Sequence, residues 1–160
     1  MGSVSWEVSS SSDKFLKYSF RPEDIEVGAK RIHPENRPEG SGMKRIATPS
    51  DKSLRAGFNK LGPGQKIRPW FFWYKEIWFV IAGTGTVKVY DKRTGEKKNT
   101  EIKARDFLYF PEGVRVETTN TGNEDLYFLY CAVPASNLYA SWLPLMEEED
   151  MEDVRRRKGD

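Results

Sequence analysis

From residue 43 onward the apolar residues fall into short runs rich in Val, Ile, Phe, Tyr and Thr, each closed by a turn signal. "LRAGFNKL" is followed by "GPG". "IRPWFFWY" and "EIWFVIA" precede "GTG", and "TVKVYD" leads into the turn "KRTG". "NTEIKA", "DFLYF", "PEG", "VRVETT", "NTGNED" and "LYFLYCAV" complete the series. Strands at this spacing, with no helical period between them, predict an all-β sandwich or barrel. The clearest hairpin is "TVKVYD-KRTG-EKKNTEIKA", which alternates on its first arm and carries a Gly in its turn. There are no internal repeats, and the length allows one barrel.

The flanks read differently. Residues 1–42 form a flexible N-terminus and arm: residues 1–14 are Ser-rich and polar, which predicts disorder. Residues 15–42 hold "FRPEDIE" and "HPENRPEGSG", which predict an irregular arm lying over the domain. The barrel takes residues 43–134. Residues 135–160 read as a charged, partly helical tail, with "EEED" set before "RRRK" so that its charges pair locally.

Charge and cysteine content narrow the function classes. Lys plus Arg total 26 against 24 Asp plus Glu in 160 residues, so no basic stripe argues for nucleic acid. The single cysteine, Cys131, excludes an intramolecular disulfide and suits a reducing compartment. The N-terminus lacks a charged start followed by an apolar block, Trp6 stands where a myristoylation signal needs Ser or Thr, and no apolar run is long enough to span a bilayer. The expectation is a soluble cytoplasmic protein without a membrane partner.

Candidate chemistry concentrates in "GPGQKIRPWFFWYKEIWFVIAGTG", residues 62–85. Gly64, five residues, Trp70-Phe71-Phe72, three residues, Glu76, six residues and Gly83 reproduce a spacing in which the aromatic positions are ordinarily His-x-His. Downstream, Arg105 stands where a Gly is expected, and Pro111, Gly113 and Asn120 fall in register, with Val116 in place of a His. On these two motifs the chain resembles the cupin superfamily, over about residues 43–134. The resemblance implies a small jelly-roll barrel of antiparallel strands, and fold alone does not bring function. It also implies a homodimer paired through barrel edges and N-terminal arms, the arm here carrying Phe15, Leu16, Tyr18, Phe20 and Ile25.

The departure from the family is specific. Its three His ligand positions are Trp70, Phe72 and Val116, and only Glu76 of the four ligands remains. One carboxylate does not hold a catalytic transition metal, so no metal and no cofactor are expected. His33, the sole histidine, lies between Ile32 and Pro34 in the arm and reads as a surface residue. Without a second His there is no Ser-His or Cys-His pair. "GTGTVK" lacks the Gly-Lys-Ser/Thr ending of a phosphate loop.

Strand side chains alternate, so Trp70, Phe72, Tyr74 and Glu76 share one face, with Trp78 continuing it. Val116, Thr118 and Asn120 are expected on the opposite wall. This makes a mostly apolar pocket with a few polar groups. A carboxyl among Trp and Phe loses hydration and can act as a general acid or base. Alternatively, Glu76 forms a buried ion pair with Arg68, Lys75 or Arg115. Tyr74 is either a second proton donor or a core tyrosine.

Two functions follow. One is a metal-independent isomerase, cyclase or lyase acting on a small apolar or aromatic molecule. Glu76 and Tyr74 would be its catalytic residues, with Tyr74 or Asn120 positioning a substrate oxygen. Trp70, Phe72, Trp78, Val116, Thr118, Asn120 and Arg68 would bind the substrate. The other is a non-catalytic module, in which the pocket holds a small ligand or is filled by its own side chains. Cavity volume separates them: several hundred Å³ favours a ligand, and a plugged barrel favours a structural role.

Overall fold

The computed structural model describes residues 54–133, Gly42–Ala47, and the single positions Glu23 and Ile25. Nine strands run in chain order: β1 Gly42–Ala47, β2 Arg55–Leu61, β3 Lys66–Phe72, β4 Lys75–Ala82, β5 Thr84–Asp91, β6 Lys97–Lys103, β7 Phe107–Phe110, β8 Val114–Thr119 and β9 Leu126–Val133. Among the described residues no helix is long and apolar enough to cross a membrane. The tail expected over 135–160, most of the arm and His33 lie outside the described residues. Ile25, one of the arm's apolar positions, is buried.

The predicted hairpin is the tip of the whole fold. β5 pairs with β6, β4 with β7, β3 with β8 and β2 with β9, all antiparallel. This nested set is one long hairpin folded about the turn at 92–95. Rolling it brings β4 against β9 and β5 against β8. The result is a jelly roll of two sheets, ordered β1-β2-β9-β4-β7 and β3-β8-β5-β6.

Backbone conformation explains why the spacing of the motif is diagnostic. Gly64, Gly83 and Gly113 all have positive φ, near 78°, 82° and 88°. At Gly83, where the chain crosses from one sheet to the other, a Cβ would stand 2.4 Å from the Asp125 carbonyl oxygen, so even alanine is excluded. Arg105 is the one described non-glycine residue with positive φ, at 76°. It therefore keeps the left-handed turn of the glycine whose place it takes.

Between the sheets the core is aromatic. Trp78 packs on Phe128 at 4.3 Å between ring centroids and on Phe110 at 4.6 Å, with Phe72 edge-on at 6.4 Å. Phe72 also meets Phe110 edge-on at 5.5 Å. Offset and edge-to-face contacts of this kind add to the area term of burial.

Candidate functional site

β3 carries a bulge. Ile67 pairs with Thr118 and Trp70 with Val116, so three steps on β3 match two on β8. Pro69 lies inside this shift, where its missing N–H removes no ladder bond. The bulge re-aims the strand, so that Ile67, Trp70 and Phe72 are all buried.

The continuous strand expected from Trp70 to Glu76 is broken at residues 73–74 by a bend. β3 belongs to the four-stranded sheet and β4 to the five-stranded one. Because the bend takes two residues, even-numbered positions still face inward after it. The arrangement of walls is nevertheless corrected. Trp70, Phe72, Val116 and Thr118 lie on one sheet, β3 beside β8, and Glu76 and Trp78 face them from the other.

Glu76 is 2% exposed. Its Oε1 accepts a hydrogen bond of 2.6 Å from the indole Nε1 of Trp78. Its backbone lies between Phe110 and Ala132 of the flanking strands. A carboxyl held there faces mostly apolar walls, with the Trp78 indole N–H as a directed donor.

The space left between the walls is about 20 Å³, bounded by Asn59, Ile67, Trp70, Phe72, Glu76, Trp78, Val116 and Thr118. That is room for one water molecule. Six of the predicted residues meet around this space, Trp70, Phe72, Glu76, Trp78, Val116 and Thr118. Sequence reasoning missed Asn59 and Ile67. The signal for Asn59 was a polar residue at an inward position of "LRAGFNKL", and it could be placed only once the parity of β2 was known.

Two predicted residues, Tyr74 and Asn120, do not line the cavity. Tyr74 lies in the bend, fully buried, its ring stacked on Phe72 at 5.5 Å with the Arg55 guanidinium 5.1 Å above it. Asn120 directs its amide to the backbone: Nδ2 donates to the carbonyls of Leu61 and Glu124 at 2.8 Å each, and Oδ1 accepts from the Gly122 N–H at 2.9 Å. It clamps the β8–β9 loop against the end of β2. The side chain of Arg68 lies outside the described residues.

The donor set does not fit the metal that the motif would imply. Trp70, Phe72 and Val116 surround one carboxylate, and among the described residues no group of three His, Cys, Asp or Glu comes together.

A second cavity, of about 340 Å³, opens at the side of the barrel between β5, β6 and β7. Val87, Val89, Leu108, Phe110 and Val114 form its apolar part, and Asp91, Glu96, Lys98 and Thr100 are its polar part. Asp91 is engaged by Arg93, whose Nη2 lies 2.8 Å from Oδ2, and this hydrogen bond holds the carboxyl below its ordinary range.

No protein-family model matches the sequence, and no curated protein does. Solved structures do. A Cupin 2 conserved barrel domain protein from Salinispora arenicola superposes with a TM-score of 0.56 at 13% identity, covering 80% of this chain and 96% of that one. A predicted oxalate decarboxylase from Thermotoga maritima gives 0.54 at 23% identity, covering 74% of this chain and all of that one. Tomato vicilin gives 0.58 at 15% identity, and the match spans 74% of this chain but only 33% of the vicilin chain. At these identities the likeness is one of fold.

Proposed function

We propose that this protein, a cupin by fold, is a non-catalytic module whose barrel is filled by its own side chains. The observation that carries this reading is the 20 Å³ left around Glu76. A site for a small organic molecule takes roughly 300 Å³ or more, so proton transfer by Glu76 to a substrate would need Trp70 or Trp78 to leave the core. Glu76 serves instead as the acceptor that satisfies a buried indole N–H. The lone cysteine suits a reducing compartment such as the cytoplasm.

Thermal-shift titration with small aromatic probes, indole and benzoate, tests the reading. Stabilisation by either probe should not depend on the interior. A shift abolished by Val116→Leu, which fills the remaining space, would place a ligand inside the barrel and overturn the proposal.

The volume of the side cavity favours a second reading, a binding module whose ligand lies between β5, β6 and β7. A thermal shift lost in Val89→Trp and retained in Val116→Leu would support it.

A further inference from the structure

We propose that the cavity between β6 and β7 is a site for a small amphipathic carboxylic acid, whose aryl or branched alkyl body fills the slot and whose carboxylate meets Lys98. It rests on the reading of the side cavity as a ligand site, and it names the class of ligand. The slot follows from the topology. β6 and β7 are the free edges of their two sheets, each paired on one side only. The corner at 104–106 joins them and is pinned by its backbone: the Arg105 N–H donates to the Val80 carbonyl at 2.8 Å, and the Val80 N–H to the Asp106 carbonyl at 2.9 Å. Beyond that corner the two edges are not paired. β7 ends after four residues while β6 runs for seven, so the inner face of the β5–β6 hairpin is left partly bare. The inner row of β6 records the change. Ile102, beside the corner, is buried, whereas Thr100 and Lys98, opposite Val87 and Val89, are exposed.

Size and position set the body of the ligand. An apolar cavity of roughly 150 Å³ accepts one benzene, so about 340 Å³ has room for a ring with a short chain. Phe110 lines the slot, and its ring stands against Phe72 and Trp78, which line the space around Glu76. The slot is therefore walled off from the motif positions.

Charge selects the head group. Four other cations of the hairpin are engaged. Lys88 lies 3.3 Å from Glu117, Arg93 lies 2.8 Å from Asp91, and Lys92 and Lys97 stand over the Tyr90 ring at 4.8 and 5.3 Å. Lys98 turns the other way, onto the inner row, and forms no ion pair with a described residue. Thr100, next on that row, sets a hydroxyl beside it, and both line the slot. Two carboxylates share the lining. That of Asp91 is already held by Arg93, through Nε at 3.1 Å and Nη2 at 2.8 Å. Glu96 lies at the turn end of the row, opposite Asp91, whereas Lys98 is opposite the floor residue Val89. A ligand with its body on Val87, Val89 and Leu108 thus meets an ammonium and a hydroxyl first, and a carboxylate takes a charge-assisted bond from the one and a neutral bond from the other.

Titration of the full chain with phenylpropanoate, phenylpropanol and phenylpropylamine, followed by calorimetry and by amide NMR shifts, tests this. The acid should bind about tenfold tighter than the alcohol at low salt, and added salt should narrow the gap. Lys98→Met keeps the stem and removes the charge, so it should abolish the gap and leave the alcohol's affinity unchanged. Glu96→Gln removes a like charge and should tighten the acid several-fold. Val89→Trp should abolish binding of both. Equal affinity for acid and alcohol, a preference that survives in Lys98→Met, or tighter binding of the amine would overturn the carboxylate assignment. If binding were still lost in Val89→Trp, the side cavity would remain a ligand site of another class. No binding of any of the three at about 10 mM would overturn both.

Discussion

The two sheets of this barrel meet solvent with opposite chemistry. On the outer face of the four-stranded sheet, Lys88 opposes Glu117 with 3.3 Å between charged atoms, Tyr90 opposes Arg115, and Thr86 opposes Thr119. On the five-stranded sheet the outward positions of β4 and β7 are Lys75 at one end and then Ile77, Phe79, Ile81, Phe107 and Tyr109. An antiparallel sheet with one wet face alternates apolar-in and polar-out. The four-stranded sheet obeys that rule and the five-stranded sheet does not. Around Glu76 the two sheets close to about 20 Å³, and the larger space between them, about 340 Å³, opens beside β6 and β7. Among the described residues, the large exposed apolar side chains therefore gather on the outside of the five-stranded sheet.

Adjacent residues on β4 give the largest effect. Trp78 is buried against Phe110 and Phe128, and Trp78→Ala should cost about 3–5 kcal/mol in chemical denaturation, the usual range for deleting a core aromatic. Phe79→Ala should cost less than about 1 kcal/mol, because its ring already faces water. Equal costs at the two positions would erase the distinction between the faces.

Glu76 comes next. Glu76→Leu removes the acceptor of the Trp78 indole and should destabilise by about 1–3 kcal/mol. Glu76→Gln keeps an acceptor and should cost clearly less. If the Gln variant were the worse of the two, the charge of Glu76 rather than its acceptor would be what the core requires.

On the charged face, Glu117→Ala should change stability by no more than about 0.5 kcal/mol, as expected of a solvent-accessible pair. A loss beyond about 1 kcal/mol would mean that the pair is not open to solvent.

The smallest effect belongs to Cys131. Its thiol is pushed up, first by burial and second by the Glu76 carboxylate. A raised pKa favours the neutral thiol in the folded state. That contribution is complete below the ordinary cysteine pKa and is lost as pH rises through the folded value. The alkylation rate of the native protein should therefore climb at higher pH than that of the urea-unfolded chain, and coincident profiles would contradict the assignment.

Much of this was legible in the chain itself. The hairpin about 92–95 and the positions of Gly64, Gly83 and Gly113 survive intact because positive φ and a close backbone approach leave few other residues possible. The inward set Trp70, Phe72, Glu76 and Trp78 also survives, by parity. The division of that set between two sheets was hidden, because the bend at 73–74 falls on Trp73 and Tyr74, residues that favour strands. Asn120 occupies the motif position of a pocket residue, yet long-range pairing carries Leu61 to it and uses its amide for the backbone. The volume left inside depends on how the buried rings interlock, which no periodicity encodes. The bare outer face did leave a trace: "EIWFVIA", "DFLYF" and "LYFLYCAV" are apolar without alternation, unlike "TVKVYD" and "VRVETT". Read as strands, they are apolar on both sides.

The filled interior is the centre of this account, and a high-resolution electron-density map of protein purified without added ligand tests it most directly. A filled barrel should show closely packed rings of Trp70, Phe72 and Trp78 around Glu76, with at most one ordered water beside them. Connected density for an organic molecule against Glu76, or an open chamber of several hundred Å³ there, would contradict it.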